Sequence, residues 1–189
     1  MPDILPDAKI QIILSALSLL KETGMEGLTM RQVAKKAGRS LGNLQHHFPN
    51  KKILLDGMAG YYFKECDNFI DSYQASLKRE SLKKDTLKFV TFLLESSEEV
   101  SDMCLIFREM WALSVRDNDI ENKLTNYYKH LIKKVSNFWK MYDEDKAEQA
   151  SILLLPYLDG YSIQNKAIGM PRNVIAKLMT ESICRLLDN

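Results

Sequence analysis

Six basic side chains and no acidic one lie between Leu28 and Leu55. The chain as a whole is almost balanced in charge, with 26 Lys and Arg residues against 25 Asp and Glu residues. A window of this length without an acid creates a local positive field, and such a field attracts the phosphates of nucleic acids. The six residues are Arg31, Lys35, Lys36, Arg39, Lys51 and Lys52.

Three side chains in the same window are typical of helix starts, because their oxygen atoms can accept a hydrogen bond from a free backbone N–H group of the next turn. Gly38 lies between the first two of these helices, where a residue that tolerates positive φ can end a helix. Leu44 and Phe48, four residues apart, are expected to fix the short second helix to the core. A helix, a tight turn and a short helix form the helix-turn-helix arrangement, whose second helix enters a major groove of DNA. The three helix-starting residues are Thr29, Ser40 and Asn50.

The residue types and spacings of this window resemble the DNA-binding domain of the TetR family of bacterial transcription regulators. The resemblance implies a homodimer that binds a double-stranded DNA operator, by default as a repressor that a small-molecule effector releases. The sequence leaves open whether the protein represses or activates. The matching residues are Thr29, Arg31, Ala34, Ala37, Gly38, Ser40, Gly42, Leu44, His47, Phe48, Lys51 and Leu54.

The second helix of the motif offers several side chains that can contact base edges. The amides of Asn43 and Gln45 can pair with adenine, the Arg39 guanidinium can pair with guanine, and Leu41 can touch a thymine methyl group. A helix N-terminus favours anions, so Lys51 is expected to bind phosphate. The resemblance adds Arg31, His46 and His47 as contact positions. The expected DNA contacts are Thr29, Arg31, Arg39, Ser40, Leu41, Asn43, Gln45, His46, His47, Lys51 and Lys52.

Two of these positions depart from the family pattern. Family members commonly have an aromatic residue where this chain has Gln45, and a small apolar residue where it has Arg39. Gln45 supplies an amide in place of an aromatic contact, and Arg39 adds charge just before the reading helix. We therefore expect the binding mode to be kept, while the operator sequence cannot be taken from relatives.

The rest of the chain is also predicted to be helical, which gives an all-α fold of about nine helices. We expect an N-terminal three-helix head in residues 1–50 and a larger ligand-binding and dimerisation domain in residues 51–189. Charge follows this division, since residues 1–57 carry 8 basic and 5 acidic groups and the remainder carries 18 and 20. A long helix from about Lys51 to Leu77 is expected to connect the two parts, and a later helix is predicted over 118–141.

Aromatic and methionine side chains on the middle helices predict a small-molecule pocket. Pockets are mostly apolar with a few placed polar groups, and the stretch from Met103 to Ser114 fits that description. The alternative is that these residues form ordinary core. The effector is expected to be apolar or aromatic. The predicted pocket residues are Phe92, Met103, Phe107, Met110, Trp111, Tyr128, Tyr161 and Asn165.

The last two helices carry apolar stripes that an isolated protomer would partly expose. Pairing them across a twofold axis would form a four-helix interface. The two heads would then meet successive major grooves about 34–36 Å apart, or a multiple of that distance. The predicted interface residues are Ala150, Leu154, Leu158, Val174, Leu178 and Ile183.

Several other classes of protein are disfavoured. The three cysteines show no metal or redox spacing, and their odd number favours a reducing compartment. No apolar run approaches the ~20 residues that span a bilayer, and the N-terminus does not resemble a signal peptide, so we expect a cytoplasmic protein without a membrane partner.

No catalytic Ser/His/Asp set, metal constellation or phosphate-binding glycine loop is evident in the sequence, so we expect neither an enzyme nor a bound metal or cofactor. The main alternative belongs to a different class. It is a helical small-molecule-binding protein in which the helix-turn-helix has only a structural role.

Overall fold

The computed structural model describes residues 7–99 and 101–188, without the side chains of residues 97–105. All regular elements within these ranges are helices, so the all-α prediction is confirmed. None of them is both long enough and apolar enough to cross a membrane. The nine helices are α1 (Ala8–Gly27), α2 (Met30–Lys36), α3 (Leu41–His47), α4 (Lys51–Ser76), α5 (Leu82–Glu99), α6 (Ser101–Ser114), α7 (Asn118–Ser136), α8 (Ala147–Gln164) and α9 (Arg172–Asp188).

The three predicted helix-starting residues cap their helices. Thr29, Ser40 and Asn50 each accept a hydrogen bond from the backbone N–H three residues further on, at 3.3, 3.1 and 2.9 Å. Gly38, in the turn between α2 and α3, has a φ of 64°, which costs glycine little and strains other residues. These local preferences fix the start of three helices within 22 residues of chain.

The first of two hydrophobic cores joins the head to the body. It contains buried residues of α1, α2 and α3, and it continues into the N-terminal half of α4, the second half of α6 and the start of α7. The head therefore does not have a core of its own that ends at residue 50. The largest fully buried members are Ile12, Leu28, Leu44, Leu54, Met58 and Leu124.

The second core lies in the body, between α5, α8, α9 and the end of α7. Phe89, Phe138 and Trp139 are fully buried at its centre, and the Trp139 Nε1 donates a hydrogen bond to Thr86 Oγ1 at 3.0 Å. The helix predicted over 118–141 ends at Ser136, because adjacent Phe138 and Trp139 both turn inward. A regular helix would point two successive side chains about 100° apart.

Gly57 and Gly60 lie one turn apart inside α4 and have different surroundings. A Cβ atom added at Gly57 would lie 2.7 Å from Cε1 of Phe48, which is buried and holds the end of α3. A Cβ atom added at Gly60 would meet nothing within 4 Å. Gly57 thus serves a close contact between α4 and the reading helix.

We expect Gly57→Ala and Gly60→Ala to change stability in opposite directions. Alanine at position 60 gains about 0.5–1 kcal/mol of helix propensity at no steric cost. At position 57 the same gain is outweighed by overpacking against Phe48, which typically costs about 1–3 kcal/mol. Chemical denaturation followed by circular dichroism measures both changes. Equal stabilisation by the two substitutions would show that Phe48 yields freely.

Candidate functional site

The outward side of α3 is polar and accessible. Asn43, Gln45 and His46 are exposed, whereas Leu44 on the opposite side is fully buried. Leu41 and His47 are partly buried at the edges of the helix. Because Leu44 and Phe48 bind α3 to the core, its exposed face has a fixed direction and is free to enter a groove of DNA.

Arg39 links α1 to the start of α3. Its Nη2 donates to Gln11 Oε1 at 2.9 Å, and its Nη1 donates to Asn43 Oδ1 at 3.2 Å. The Arg39 side chain is partly buried by these contacts, and its Nε has no partner. Arg39 was predicted as a base contact, but in the free protein it orients Asn43.

The candidate phosphate-binding side chains divide into two groups. Thr29 and Arg31 are exposed at the start of α2 and Ser40 at the start of α3. Lys51 lies at the N-terminus of α4, where its Nζ donates to the backbone oxygen of Met25 at 2.9 Å. One ammonium can donate three hydrogen bonds, so this contact leaves Lys51 able to bind a phosphate as well.

Lys52 points towards the body of the protein. Its Nζ lies 2.7 Å from Asp119 Oδ2 and 3.3 Å from Asp117 Oδ2, and the hydrogen bond to Asp119 raises the pKa of Lys52. The prediction of a DNA contact here needs correction, because two carboxylates at the start of α7 already compensate the charge. Sequence spacing did not reveal this, since the partners lie 67 positions away.

Lys52 is the first member of a row of ion pairs between α4 and α7. In the first two pairs the α7 residue is 67 positions after its α4 partner, and in the last two it is 63 positions after it. The additional turn of α4 between them carries Phe63, whose ring stacks on Tyr127 with centroids 3.6 Å apart. The other three pairs are Asp56–Lys123, Asp67–His130 and Asp71–Lys134.

An open cavity of about 480 Å³ lies in the body between α4, α5, α6, α7 and α8. Its volume is within the usual range of small-molecule sites. Five aromatic rings contribute to its walls, together with leucine, isoleucine and valine side chains. The rings belong to Tyr62, Phe69, Phe107, Tyr127 and Tyr128.

Two of the predicted pocket residues, Phe107 and Tyr128, line this cavity. Phe92 stands behind its wall, stacked on Phe69 with centroids 4.5 Å apart. Trp111 is exposed beside the cavity, with its ring 5.6 Å from that of Tyr128.

The structure does not place the other predicted pocket residues on the cavity wall. Met110 is buried in the first core and Tyr161 in the second, and Asn165 follows the last turn of α8. The apolar spacing was therefore read correctly as helical, but it did not separate core from pocket. Met103 lies outside the described side chains.

Cavity residues that the prediction missed come mainly from α4 and α8. Glu65, Cys66 and Phe69 continue the inner face of α4 beyond the head, and Asp159 follows Leu158 on α8. The signal that pointed to Asp159 was a lone acidic residue in an otherwise apolar helix, because such residues are rarely buried without a role.

Asp159 lies in the cavity wall, where water can reach it although protein atoms surround it. The Tyr128 hydroxyl donates a hydrogen bond to Asp159 Oδ2 at 2.7 Å. Burial raises the pKa of Asp159 above its ordinary value, and the hydrogen bond from Tyr128 opposes that effect only in part. Burial also raises the pKa values of Tyr127 and Tyr128, so both hydroxyls stay protonated at neutral pH.

A second surface, the outer face of α8 and α9, leaves apolar side chains in solvent. Ile152 and Leu153 on α8 are 51% and 44% exposed, and Val174 and Leu178 on α9 are 37% and 49% exposed. Ile163 extends this face towards the end of α8. These exposed residues define the outer apolar face.

The prediction of the dimer interface needs correction at four of its six positions. Ala150, Leu154, Leu158 and Ile183 are buried inside their own protomer, so they cannot form an outward face. Val174 and Leu178 do belong to the outer apolar face. Apolar residues surround α8 on all sides, so periodicity alone could not tell its inner stripe from its outer one.

Comparisons with known proteins agree with this architecture. The family described as "Bacterial regulatory proteins, tetR family" matches residues 12–58. An uncharacterized HTH-type transcriptional regulator in the dhlA 5′ region of Xanthobacter autotrophicus is 33% identical over 186 residues, covering 96% of this chain and 91% of that protein. The class C tetracycline repressor of Escherichia coli is 48% identical over 48 residues, which are 25% of this chain and 22% of the repressor.

A solved structure supports the fold over the whole length. The TetR transcription regulator from Haloarcula marismortui superimposes with a TM-score of 0.73 at 14% identity, covering 96% of this chain and 97% of that one. Together with the exposed reading helix and its acid-free surroundings, these matches show that the chain is a helix-turn-helix transcriptional regulator of the TetR family.

Proposed function

We propose that the protein is a homodimeric repressor whose two heads bind a pseudo-palindromic operator and release it when a small molecule enters the body cavity. The observation that carries the proposal is the exposed polar face of α3, fixed by Leu44 and Phe48 in a region without acidic residues. Binding to DNA implies a cytoplasmic location, and the proposed role is non-enzymatic.

The side chains proposed for base contact are those that α3 presents outward. Asn43, Gln45 and His46 are accessible, and Arg39 holds Asn43 in place from behind. Phosphate contacts are assigned to Thr29, Arg31, Ser40, His47 and Lys51, which surround α3 at helix starts and ends. Residues 1–50 form the DNA-binding unit in this proposal, with a core that is shared with the body.

The outer apolar face supports dimerisation through α8 and α9. Exposed Leu153 and Leu178 lie on neighbouring helices, and a twofold axis through them would build a four-helix interface from identical surfaces. In such a dimer the two heads are held at a constant distance. That distance must match the 34–36 Å between successive major-groove faces, or a multiple of it.

The cavity supports the proposal of an effector. Side chains of the protein leave about 480 Å³ unfilled, lined chiefly by aromatic and aliphatic groups. Its wall includes Tyr62 and Tyr127, which also belong to the contacts that hold α4 to α6 and α7. A ligand that shifts these rings changes the position of α4, and it releases DNA if it prefers the shifted state.

A helical binding protein whose helix-turn-helix is only structural remains the competing function. Selection of duplexes from a random pool by the full-length protein distinguishes the two. We expect the recovered duplexes to share a pseudo-palindromic sequence. Failure to retain any duplex at low ionic strength would favour the competing function.

We expect Gln45→Ala to lower affinity for the selected sequence by about 1–3 kcal/mol and to change affinity for random duplexes little. The reason is that a side chain paired with a base edge contributes only where that base is present. Fluorescence anisotropy with the two kinds of duplex measures the difference. Equal losses on both would remove Gln45 from the base-reading set.

Adjacent lysines at the start of α4 provide a matched pair for the phosphate contacts. We expect Lys51→Ala to weaken binding to all duplexes and to flatten the salt dependence by about 0.9 log units per lost contact. Lys52→Ala removes the same charge, but Asp117 and Asp119 already compensate it, so the slope should change less. A Lys52→Ala slope as flat as that of Lys51→Ala would contradict the assignment.

We expect the double variant Leu153→Lys/Leu178→Lys to be monomeric and to bind the operator weakly. Two ammonium groups per protomer would have to be desolvated in the middle of an apolar interface. Sedimentation velocity measures the oligomeric state. Val115→Lys, which changes a residue that is 83% exposed elsewhere, is the control and should stay dimeric.

Asp159→Asn should raise the melting temperature at neutral pH. The folded pKa of Asp159 is raised, so wild-type stability falls as pH rises from the ordinary aspartate pKa to the raised value. Asn removes this cost and can still accept the Tyr128 hydrogen bond. The gain should disappear as pH falls through the raised pKa. Thermal melts across pH measure it, and a gain that is constant with pH would exclude ionisation of Asp159 as the cause.

A further inference from the structure

The charges around the cavity are all of one sign. Glu65 and Asp159 are the ionisable acids among its lining residues, and the lining that the structure describes contains no Lys, Arg or His. The chain between Ser96 and Ile106 adds three acidic residues and no basic one. An anionic ligand would therefore find repulsion and no counter-charge in the cavity.

Three of the lining rings form a corner beside Asp159. The ring centroids of Phe107, Tyr127 and Tyr128 are 5.8–5.9 Å from one another. Tyr128 joins this corner to the carboxylate through its hydroxyl. The faces of aromatic rings carry negative potential and attract cations, most strongly where water is excluded.

Two polar groups in the wall have unused bonding capacity. The Tyr127 side chain is only 7% exposed, and its hydroxyl has no hydrogen-bond partner among oxygen and nitrogen atoms of the described residues. The thiol of Cys66 lies beside that hydroxyl and is a weak partner. Asp159 uses Oδ2 for Tyr128, which leaves Oδ1 directed to the cavity without a printed protein donor.

We propose that the effector is an organic cation with an apolar or aromatic body, and that its positive group binds between Asp159 and the rings of Phe107, Tyr127 and Tyr128. The inference rests on the proposed effector role of the cavity and specifies the chemical class of the ligand. The body of the ligand occupies the aliphatic part of the wall, near Leu131 and Leu155.

A neutral apolar ligand explains the rings but not the carboxylate. Keeping an aspartate in a partly dehydrated wall has a cost in stability unless a bound group compensates its charge. A cation compensates the charge of Asp159 and also binds the ring faces. The same arrangement rejects carboxylic acids.

Two probes of the same shape test the role of charge. Benzyltrimethylammonium is a cation, and neopentylbenzene replaces its nitrogen with carbon and is neutral. Isothermal titration calorimetry on the full-length protein should show that the cation binds roughly tenfold tighter or more, as expected for a desolvated cation–π contact with a nearby carboxylate.

The variants separate charge from structure. Asp159→Asn should abolish the preference for the cation and leave binding of the neutral probe unchanged. Tyr128→Phe keeps the carboxylate and should keep the preference. Glu148→Gln removes one negative charge from an exposed position three turns earlier on α8 and is the matched control, for which we expect wild-type binding.

The possible results have distinct meanings. Equal affinity of the wild type for both probes would overturn the cationic class and leave the cavity as an effector site. A preference that persists in Asp159→Asn would also overturn the inference, because Asp159 would not be its source. Absence of binding by either probe would overturn the inference together with the effector role of the cavity.

Discussion

The packing of α4 in both hydrophobic cores is the constraint on which the rest of the structure depends. Its first half lies under the reading helix through Leu54 and Met58, and Ile70 in its second half belongs to the core of the body. A helix of 26 residues is about 39 Å long, so one rigid element reaches from the DNA side to the cavity. Any shift of α4 at the cavity must therefore appear at α3.

Magnitudes show which contacts hold α4 against α7. The ion pairs between them are largely exposed, and pairs of that kind contribute about 0–1 kcal/mol each. Buried side chains such as Tyr62 and Leu124 each contribute about 1.5–3 kcal/mol by removal of apolar surface from water. The apolar contacts thus supply the stability, and the ion pairs fix the register of the two helices.

The sequence predicted the head more fully than the body for a physical reason. Caps such as Ser40 and the positive φ of Gly38 are local, so residue type and spacing determine them. The partners of Lys52 and the face on which Leu154 lies depend on helices far away in the chain. Helical periodicity fixed the number of helices, but it could not say which apolar stripe of α8 would meet its own protomer.

Tyr127 shows how an empty cavity and a stable fold can coexist. One face of its ring stacks on Phe63 of α4, while its hydroxyl is buried without a strong partner and contributes to the cavity wall. Leaving that hydroxyl unpaired costs about 1–3 kcal/mol, and a ligand that accepts its hydrogen bond recovers this energy. Because the same ring contacts α4, the recovered energy is released at the point where a small displacement changes the position of the reading helix.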